Sequence, residues 1–493
     1  MTIFRDKLVS STLGIPLYQQ VYTHLRASIL SGGLKGGMKL PSTRTLANEL
    51  NVSRNTIVNA YRQLMAEGYL DSMVGSGTFV ARVLPDHLLT PPGGTDSTDT
   101  RPTEPRQPVF SDHTKLQLET PQLSWVMPSP AGASPRPFRL GVPALQAFPF
   151  KLWSRLVVRR ARSMPASAFT YQDLAGYGRL REAIAAHVTV ARGVQCTPDQ
   201  IIILPGAQGG LDLAARMLIN SGDPVWMEDP GYLQARGAFL GAGAEIISVP
   251  VDKDGLVVNE GIARASQARL AYVTPSHQFP LGVTMSLPRR LALLDWAKRA
   301  NAYILEDDYD SEYRFARRPL PALQGLDDAG RVIYIGTFSK VLFPALGIGY
   351  LILPLPLVNA FEAVRAFINL HPPVLEQMVL TDFIVEGHLS RHLRRMRSLY
   401  AERRAALLDA AREIPLEIHP PESGIHCVGW LPDGMDDVTL AREASEQGID
   451  LVPVSIFSIE PLARKGIILG YSEYSVDQIK EGVRRIGVAM RSV

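Results

Sequence analysis

"GTFSKVLFPALGIGY", residues 336–350, decides how the rest of the chain is read. The four residues before it, Val332-Ile333-Tyr334-Ile335, are β-branched and aromatic, and Gly336 closes them. That is the pattern of a strand buried on both faces. Lys340 follows just past the strand end, flanked by Thr337 and Ser339 and then by apolar residues. A lysine amine is a poor nucleophile at its free pKa, but burial lowers that pKa and lets it form imines with carbonyls.

Working outward, strand-like and helical runs alternate from about residue 138 to 493. "QIIIL" precedes "GGLDLAARML", "PVWME" precedes "YLQARGAFLGAG", "RLAYVT" precedes "LPRRLALLDWAKRA", and "AYILED" and "RVIYIG" follow. This alternation predicts an α/β fold: a doubly wound, mostly parallel sheet with helices on both faces. Residues 82–137 are dominated by Pro, Gly, Ser, Thr and Asp with little apolar periodicity, and read as a flexible Pro-rich linker.

Residues 1–81 form a separate module. "LYQQVYTHLRASIL" spaces Tyr18, Val21, Tyr22, Leu25 and Ile29 as one helix face. "LPSTRTLANEL" offers Ser42 as an N-cap, with Leu46, Ala47 and Leu50 on the inner face. "NVSRNTIVNAYRQLMAEG" offers Ser53 as the next N-cap and buries Ile57, Ala60, Tyr61 and Leu64. Only a short turn separates these two helices, which is helix-turn-helix spacing. The second helix leaves Arg54, Asn55, Thr56, Asn59 and Arg62 off its apolar face, donors suited to base edges and phosphates. "YLDSMVGSGTFVA" then reads as a hairpin or wing around Gly75-Ser76-Gly77. Residues 1–80 carry eight Lys/Arg against four acids, while the rest of the chain is close to neutral, so the basic excess sits on this module. Double-stranded DNA is the expected partner, with Arg44, Ser53, Arg54, Asn55, Thr56 and Asn59 at the interface. The bland alternative is a small helical docking domain.

The remaining numbers exclude several classes. A hydrophobic fraction of 46% and a charged fraction of 20% suit an ordinary globular protein. Cys196 and Cys427 have no metal or disulfide spacing, which points to a reducing compartment. The start "MTIFRDKLVSS" has no apolar core, so no signal peptide is expected, and no apolar run reaches membrane-spanning length. A cytoplasmic location without membrane contact is the expectation.

A reactive lysine in a doubly wound fold suggests pyridoxal 5'-phosphate. Its site needs an imine lysine, a carboxylate on the pyridine nitrogen, a phosphate cradle and an aromatic over the ring. "AYILEDDYDSE" supplies Glu306, Asp307, Asp308, Asp310 and Glu312 at a strand end, where α/β sheets bind ligands. Asp307 is the candidate for the ring nitrogen and Tyr309 for the ring oxygen. A solvated acidic loop is the bland reading, and a metal site is open, though no histidine accompanies the cluster in sequence. "LPGAQGGLDLAARML" sets Gly206, Ala207 and Gln208 at a strand-to-helix turn that points N–H groups at an anion. Thr337 and Ser339 add hydroxyls, Tyr232 in "EDPGY" is the stacking aromatic, and Gln278 or His277 could touch the ring oxygen.

The small module resembles the winged helix-turn-helix of GntR-superfamily transcription factors over its whole length. The large one resembles fold-type I enzymes, the class I aminotransferases, with a smaller C-terminal subdomain. The blocks "EDPGY", "TPSHQFPLG", "EDDYDSEYR", "LPALQGLD" and "GTFSKVLFPALGIGY" make the whole chain similar to MocR-type regulators of the GntR superfamily. That resemblance implies Lys340 as the imine residue, Asp307 and Tyr309 on the ring, and Tyr232 stacked on it. It further implies that Tyr171 reaches the phosphate of the neighbouring subunit in a head-to-tail homodimer. It implies a sensor of PLP or of a small-molecule amine or amino acid, with transaminase activity weak or absent. The alternatives are a working aminotransferase carrying a DNA module, and a regulator that has lost PLP and only dimerises.

Two positions depart from the family pattern. An arginine usually follows the lysine by seven residues and binds the cofactor phosphate; here that position is Gly347. Members that sense amino acids commonly carry an arginine near the C-terminus for the effector carboxylate; alignment places Ile468 there. Neither residue replaces a bidentate guanidinium. Another arginine, such as Arg314 or Arg317 after the acidic loop, is a candidate substitute.

Overall fold

The computed structural model describes residues 15–73, 76–85, 109–120, 136–315 and 321–493. Gly75, Arg317 and most of the expected linker lie outside the described residues. Contacts divide the chain into two units, Met1–Pro108 and Val109–Val493.

In the first unit, α1 (Leu17–Leu30), α2 (Thr43–Leu50) and α3 (Arg54–Ala66) precede a hairpin of β1 (Leu70–Met73) and β2 (Gly77–Val80). Both expected caps form: the Ser42 side chain accepts from the Thr45 N–H and that of Ser53 from the Thr56 N–H, each at 3.1 Å. These bonds satisfy donors that a helix start leaves orphaned. Asn51, left-handed at φ 52°, ends α2 and makes the tight turn into α3. Val21, Leu25, Ile29, Leu46, Ile57, Ala60, Tyr61 and Leu64 form the core with Val80 of the wing. Tyr18 departs from the expected inner face of α1 and lies exposed.

The second unit is built on an eight-stranded sheet ordered β3-β10-β9-β8-β7-β4-β5-β6. Its members are β3 (Ile201–Pro205), β4 (Pro224–Asp229), β5 (Glu245–Asp252), β6 (Gly255–Leu256), β7 (Leu270–Val273), β8 (Tyr303–Asp308), β9 (Val332–Thr337) and β10 (Ile348–Ile352). The pairs among β5, β4, β7, β8 and β9 are parallel, whereas β10 runs antiparallel to both β9 and β3. Every residue of β9 and β10 is buried, which is why "VIYIG" carries no polar alternation. The reversal of β10 brings its first residue, Ile348, opposite the last residue of β3, Pro205. The lysine loop and the glycine turn after β3 therefore share one edge of the sheet. A second, antiparallel sheet of β11 (Glu417–Ile418), β12 (His426–Trp430), β14 (Gly466–Gly470) and β13 (Val452–Pro453) forms the smaller C-terminal part.

Inside the stretch expected to be linker, Asp112–Glu119 is helical, capped by Ser111. Gln117 Nε2 donates to the Gly237 carbonyl at 2.7 Å, so this segment docks on the second unit. No helix among the described residues is long and apolar enough to cross a membrane.

Candidate cofactor site and DNA-binding surface

Lys340 sits in the loop after β9 and is half-buried. Burial pushes its amine below the ordinary lysine range, while Asp310 and Asp307 pull it back up. Its Nζ donates to the Gly141 carbonyl at 3.0 Å. Gly141 is left-handed at φ 77°, a backbone conformation that favours glycine, and a Cβ there would lie 2.6 Å from Nζ. The loop is braced by Tyr313, whose hydroxyl donates to the Val341 carbonyl at 2.9 Å, and by His392 Nε2, 3.1 Å from the same oxygen. A buried, desolvated amine of this kind is suited to attack on a carbonyl.

The acid row at the end of β8 is not a solvated loop. Glu306 accepts from the backbone N–H groups of Leu323 and Gln324 at 2.7 and 2.8 Å. Asp308 accepts from Arg192 Nε at 2.7 Å and from the Tyr334 hydroxyl at 2.6 Å. Asp310 faces His277 Nδ1 at 3.0 Å. Asp307 accepts from the Tyr272 hydroxyl through Oδ2 at 2.8 Å, while Oδ1 is buried with no partner. Burial raises the Asp307 carboxyl to about 7 despite the tyrosine bond. Among the described residues no donor reaches this buried carboxylate oxygen.

Around this carboxylate the tyrosines take defined places. Tyr309 Oη lies 2.9 Å from His277 Nδ1 and donates to the His277 carbonyl at 3.0 Å. Tyr232, after β4, packs edge-on against Phe279 with centroids 5.4 Å apart. Gln278 spends its amide on the Pro230 and Phe279 carbonyls at 2.9 and 2.7 Å and accepts from the Leu281 N–H at 3.0 Å. It clamps the two loops, and His277 is the member of that pair joined to Tyr309. A histidine does accompany the acids in space: His277, Asp310 and His426 place ligand-type atoms within 4.8 Å of one another.

The phosphate cradle is geometrically sound. The helix Gly206–Leu218 starts directly after β3 with no side-chain cap and no acid in its first turn, so its first N–H groups remain for an anion. Gly206 is left-handed at φ 74°. A Cβ on Gly349 would lie 2.5 Å from the Gly206 carbonyl carbon, so β10 can approach this turn only as glycine. Gln208 donates to the Gln234 carbonyl at 3.2 Å, and Ala207 packs into the core. Thr337 Oγ1 accepts from the Ser339 N–H at 3.2 Å, which holds the loop beside the lysine. The residues present fit pyridoxal phosphate: a desolvated lysine, an unpaired buried carboxylate oxygen and an uncapped helix start at the same end of the strands β9, β8 and β3.

At the two departures from the family pattern, the geometry is plain. Gly347 is left-handed at φ 59°, with nothing within 4 Å of an added Cβ. Ile468 is fully buried in an apolar cluster with Leu140, Leu233, Phe279, Val428, Val452, Val454 and Phe457. Arg314 pairs with Glu422 at 3.3 Å. Tyr171 is 83% exposed, on a surface with Phe169 at 76%.

In the first unit Arg44, Ser53, Arg54, Asn55 and Asn59 are exposed and Thr56 is half-buried. Arg54 Nε lies 3.5 Å from Thr43 Oγ1, which links the starts of α2 and α3.

The family described as bacterial regulatory proteins, gntR family, matches residues 17–80, and that described as aminotransferase class I and II matches residues 152–486. The chain is 40% identical over 483 residues to the probable rhizopine catabolism regulatory protein MocR of Rhizobium meliloti, spanning 96% of this chain and 93% of that one. The chain belongs to the MocR-type regulators of the GntR family. Other relatives include the pyridoxine biosynthesis regulator PdxR of Corynebacterium glutamicum, 33% identical over 94% of this chain and 93% of the relative. Among solved structures, a multiple substrate aminotransferase from Thermococcus profundus superposes with a TM-score of 0.69 at 29% identity, over 78% of this chain and 97% of that one. This MocR-type regulator is therefore a transcription factor whose winged-helix unit binds DNA and whose large unit is a fold-type I, PLP-binding domain.

Sequence reasoning missed Gly141, Tyr272, Arg192 and His426. Each meets the site only through folding; Gly141 and Lys340, for example, are 199 residues apart in sequence. The one available signal was a glycine two residues before a proline in "RLGVPAL".

Proposed function

We propose that this regulator reads PLP itself: Lys340 holds the cofactor covalently, and occupancy alters operator binding. When bound, pyridoxal phosphate brings a reactive carbonyl and an electron-withdrawing ring. In this reading Asp307 Oδ1 accepts from the ring nitrogen and Tyr309 orients toward the ring oxygen. The Gly206–Gln208 turn, with Thr337 and Ser339, cradles the phosphate, and Tyr232 covers the ring. Residues 1–81 bind the operator, residues 82–137 connect, and residues 138–493 sense. The exposure of Tyr171 and Phe169 supports a head-to-tail homodimer in which each Tyr171 serves the neighbouring subunit's phosphate.

The observation that carries the choice of signal is Ile468. A carboxylate arriving at the lysine from an amino acid would meet a dry apolar cluster there rather than a guanidinium, and would lose a charge-assisted bond of about 1.5–3 kcal/mol. Gly347 removes the other arginine and loosens the phosphate grip, which suits a sensor that must empty when the cofactor is scarce. The same absences predict weak or no transaminase turnover.

The experiment titrates holo-protein with a panel of amino acids while following the visible cofactor band and operator binding. No exchange of the band is expected. A sharp spectral shift with one amino acid, accompanied by altered DNA affinity, overturns the choice of signal. The covalent assignment is checked separately: Lys340→Ala should lack the band that wild type acquires with PLP.

A further inference from the structure

The segment that carries Asp307 and Tyr309 runs on into a cavity of about 190 Å³, lined by several charged residues, that none of the cofactor residues lines. Glu312 and Arg314 form one wall, His187 and Arg192 of the helix Gly178–Arg192 a second, and Leu393 and Arg397 of the helix His388–Ala411 a third. The volume is below the range of drug-sized sites and suits a metabolite of a few heavy atoms.

The charges around it are unevenly satisfied. Arg192 is neutralised by Asp308, with both side chains almost fully buried. Arg314, only 9% exposed in its side chain, reaches Glu422 through one terminal nitrogen, and its buried Nε has no partner. Arg397 spends Nε on the Glu312 carbonyl at 2.7 Å, and no carboxylate among the described residues pairs with its guanidinium. Glu312 Oε2 is buried without a partner. Burial raises the Glu312 carboxyl to about 7 and pushes the Arg314 guanidinium below its ordinary range. His187 is pushed down by burial and by Arg397, so it contributes little charge. Buried charged groups left unpaired are costly. The buried atoms left unpartnered are Arg314 Nε and Glu312 Oε2, and a ligand that pairs them recovers that cost, while Arg397, an exposed residue, adds its charge from the third wall.

We infer that this cavity is a second, non-covalent ligand site for a small amino acid, its carboxylate on Arg314 and Arg397 and its ammonium on Glu312. The pairing of two guanidinium groups with one carboxyl selects a zwitterion over a simple anion. The site borders the lysine loop: Tyr313, between two lining residues, and His392, beside Leu393, both bond the Val341 carbonyl next to Lys340. It is independent of the reading that PLP is the signal at Lys340, because no bond to the cofactor is involved.

The test uses full-length Lys340→Ala protein, which cannot link to a carbonyl, and borohydride-reduced holo-protein as a second background. Calorimetry with glycine, L-alanine, L-aspartate and L-lysine should detect saturable binding of at least one, with acetate markedly weaker. Arg397→Ala and Glu312→Gln should each weaken that binding by about ten- to a hundredfold while circular dichroism stays unchanged. Absence of binding by all four probes in both backgrounds overturns the inference. So does binding that neither substitution weakens, or acetate binding as tightly as the amino acids.

Discussion

Restoring the missing arginine is the sharpest test of how this protein holds its cofactor. Gly347 stands at the start of β10, one residue before the Ile348–Pro205 pairing that brings this edge against the Gly206 turn. Its φ of 59° and ψ of 27° place it in the left-handed region, and an added Cβ meets nothing within 4 Å. Gly347→Arg therefore has room, but its backbone costs about 1–2 kcal/mol relative to glycine. That strain is present with and without PLP, so it lowers folding stability and cancels from the binding equilibrium. A guanidinium reaching the phosphate adds a charge-assisted bond of about 1.5–3 kcal/mol, which is about ten- to a hundredfold in affinity. The assay is a PLP titration of apo-protein followed by the visible band, beside thermal unfolding of the same sample. The expected result is tighter PLP binding in a slightly less stable protein. Unchanged or weaker PLP affinity in a folded Gly347→Arg protein would refute the placement of this position at the phosphate.

Three further outcomes follow from the same geometry. Gly349→Ala puts a methyl 2.5 Å from the Gly206 carbonyl carbon, so it should weaken PLP binding by about tenfold or more; unaltered affinity would show that the cradle does not need this close approach. Arg54→Ala should weaken operator binding and flatten its dependence on salt by roughly one counterion, and a slope equal to wild type in DNA titrations would count against a phosphate contact. Glu228, Glu306, Asp307 and Glu312 are all raised by burial to about 7. The folded apo-protein then binds more protons than the unfolded chain between about pH 4.5 and about pH 7, so its stability falls as pH rises through that window. Urea unfolding of apo-protein at both ends of the window checks the sign, and Asp307→Asn should make the fall shallower.

What the sequence disclosed follows from where its chemistry is local. The buried β9, the lysine after it and the acids ending β8 lie within short runs whose period and punctuation fix their place. The caps Ser42 and Ser53 were readable for the same reason, since a cap acts on the N–H group three residues on. The partners that set reactivity were not local. Tyr272 reaches Asp307 from β7 and Arg192 reaches Asp308 from a helix end. Each reads alone as an ordinary core or surface residue. The short helix Asp112–Glu119 was hidden by the composition around it, because eight residues with no buried side chain carry almost no periodic signal.

The acid row shows why the distinction matters for function. Five carboxyls in seven residues look redundant in sequence, yet folding gives four of them separate partners: backbone amides, Tyr272, Arg192 and His277. The fifth, Glu312, faces the cavity with one oxygen unpartnered. Only Asp307 and Glu312 keep a buried carboxyl oxygen free on a segment tied through Tyr313 to the backbone beside Lys340 without a cation already paired to that carboxyl. Those are the two carboxyls of this segment on which a ligand can still act. Neutralising either one should change what the protein binds more than how stably it folds, whereas breaking the Asp308–Arg192 pair by removing one partner, which leaves the other buried charge alone, should cost about 3–5 kcal/mol of stability. Equilibrium unfolding of Asp308→Asn beside Asp307→Asn separates the two cases, and equal losses from both would contradict this division.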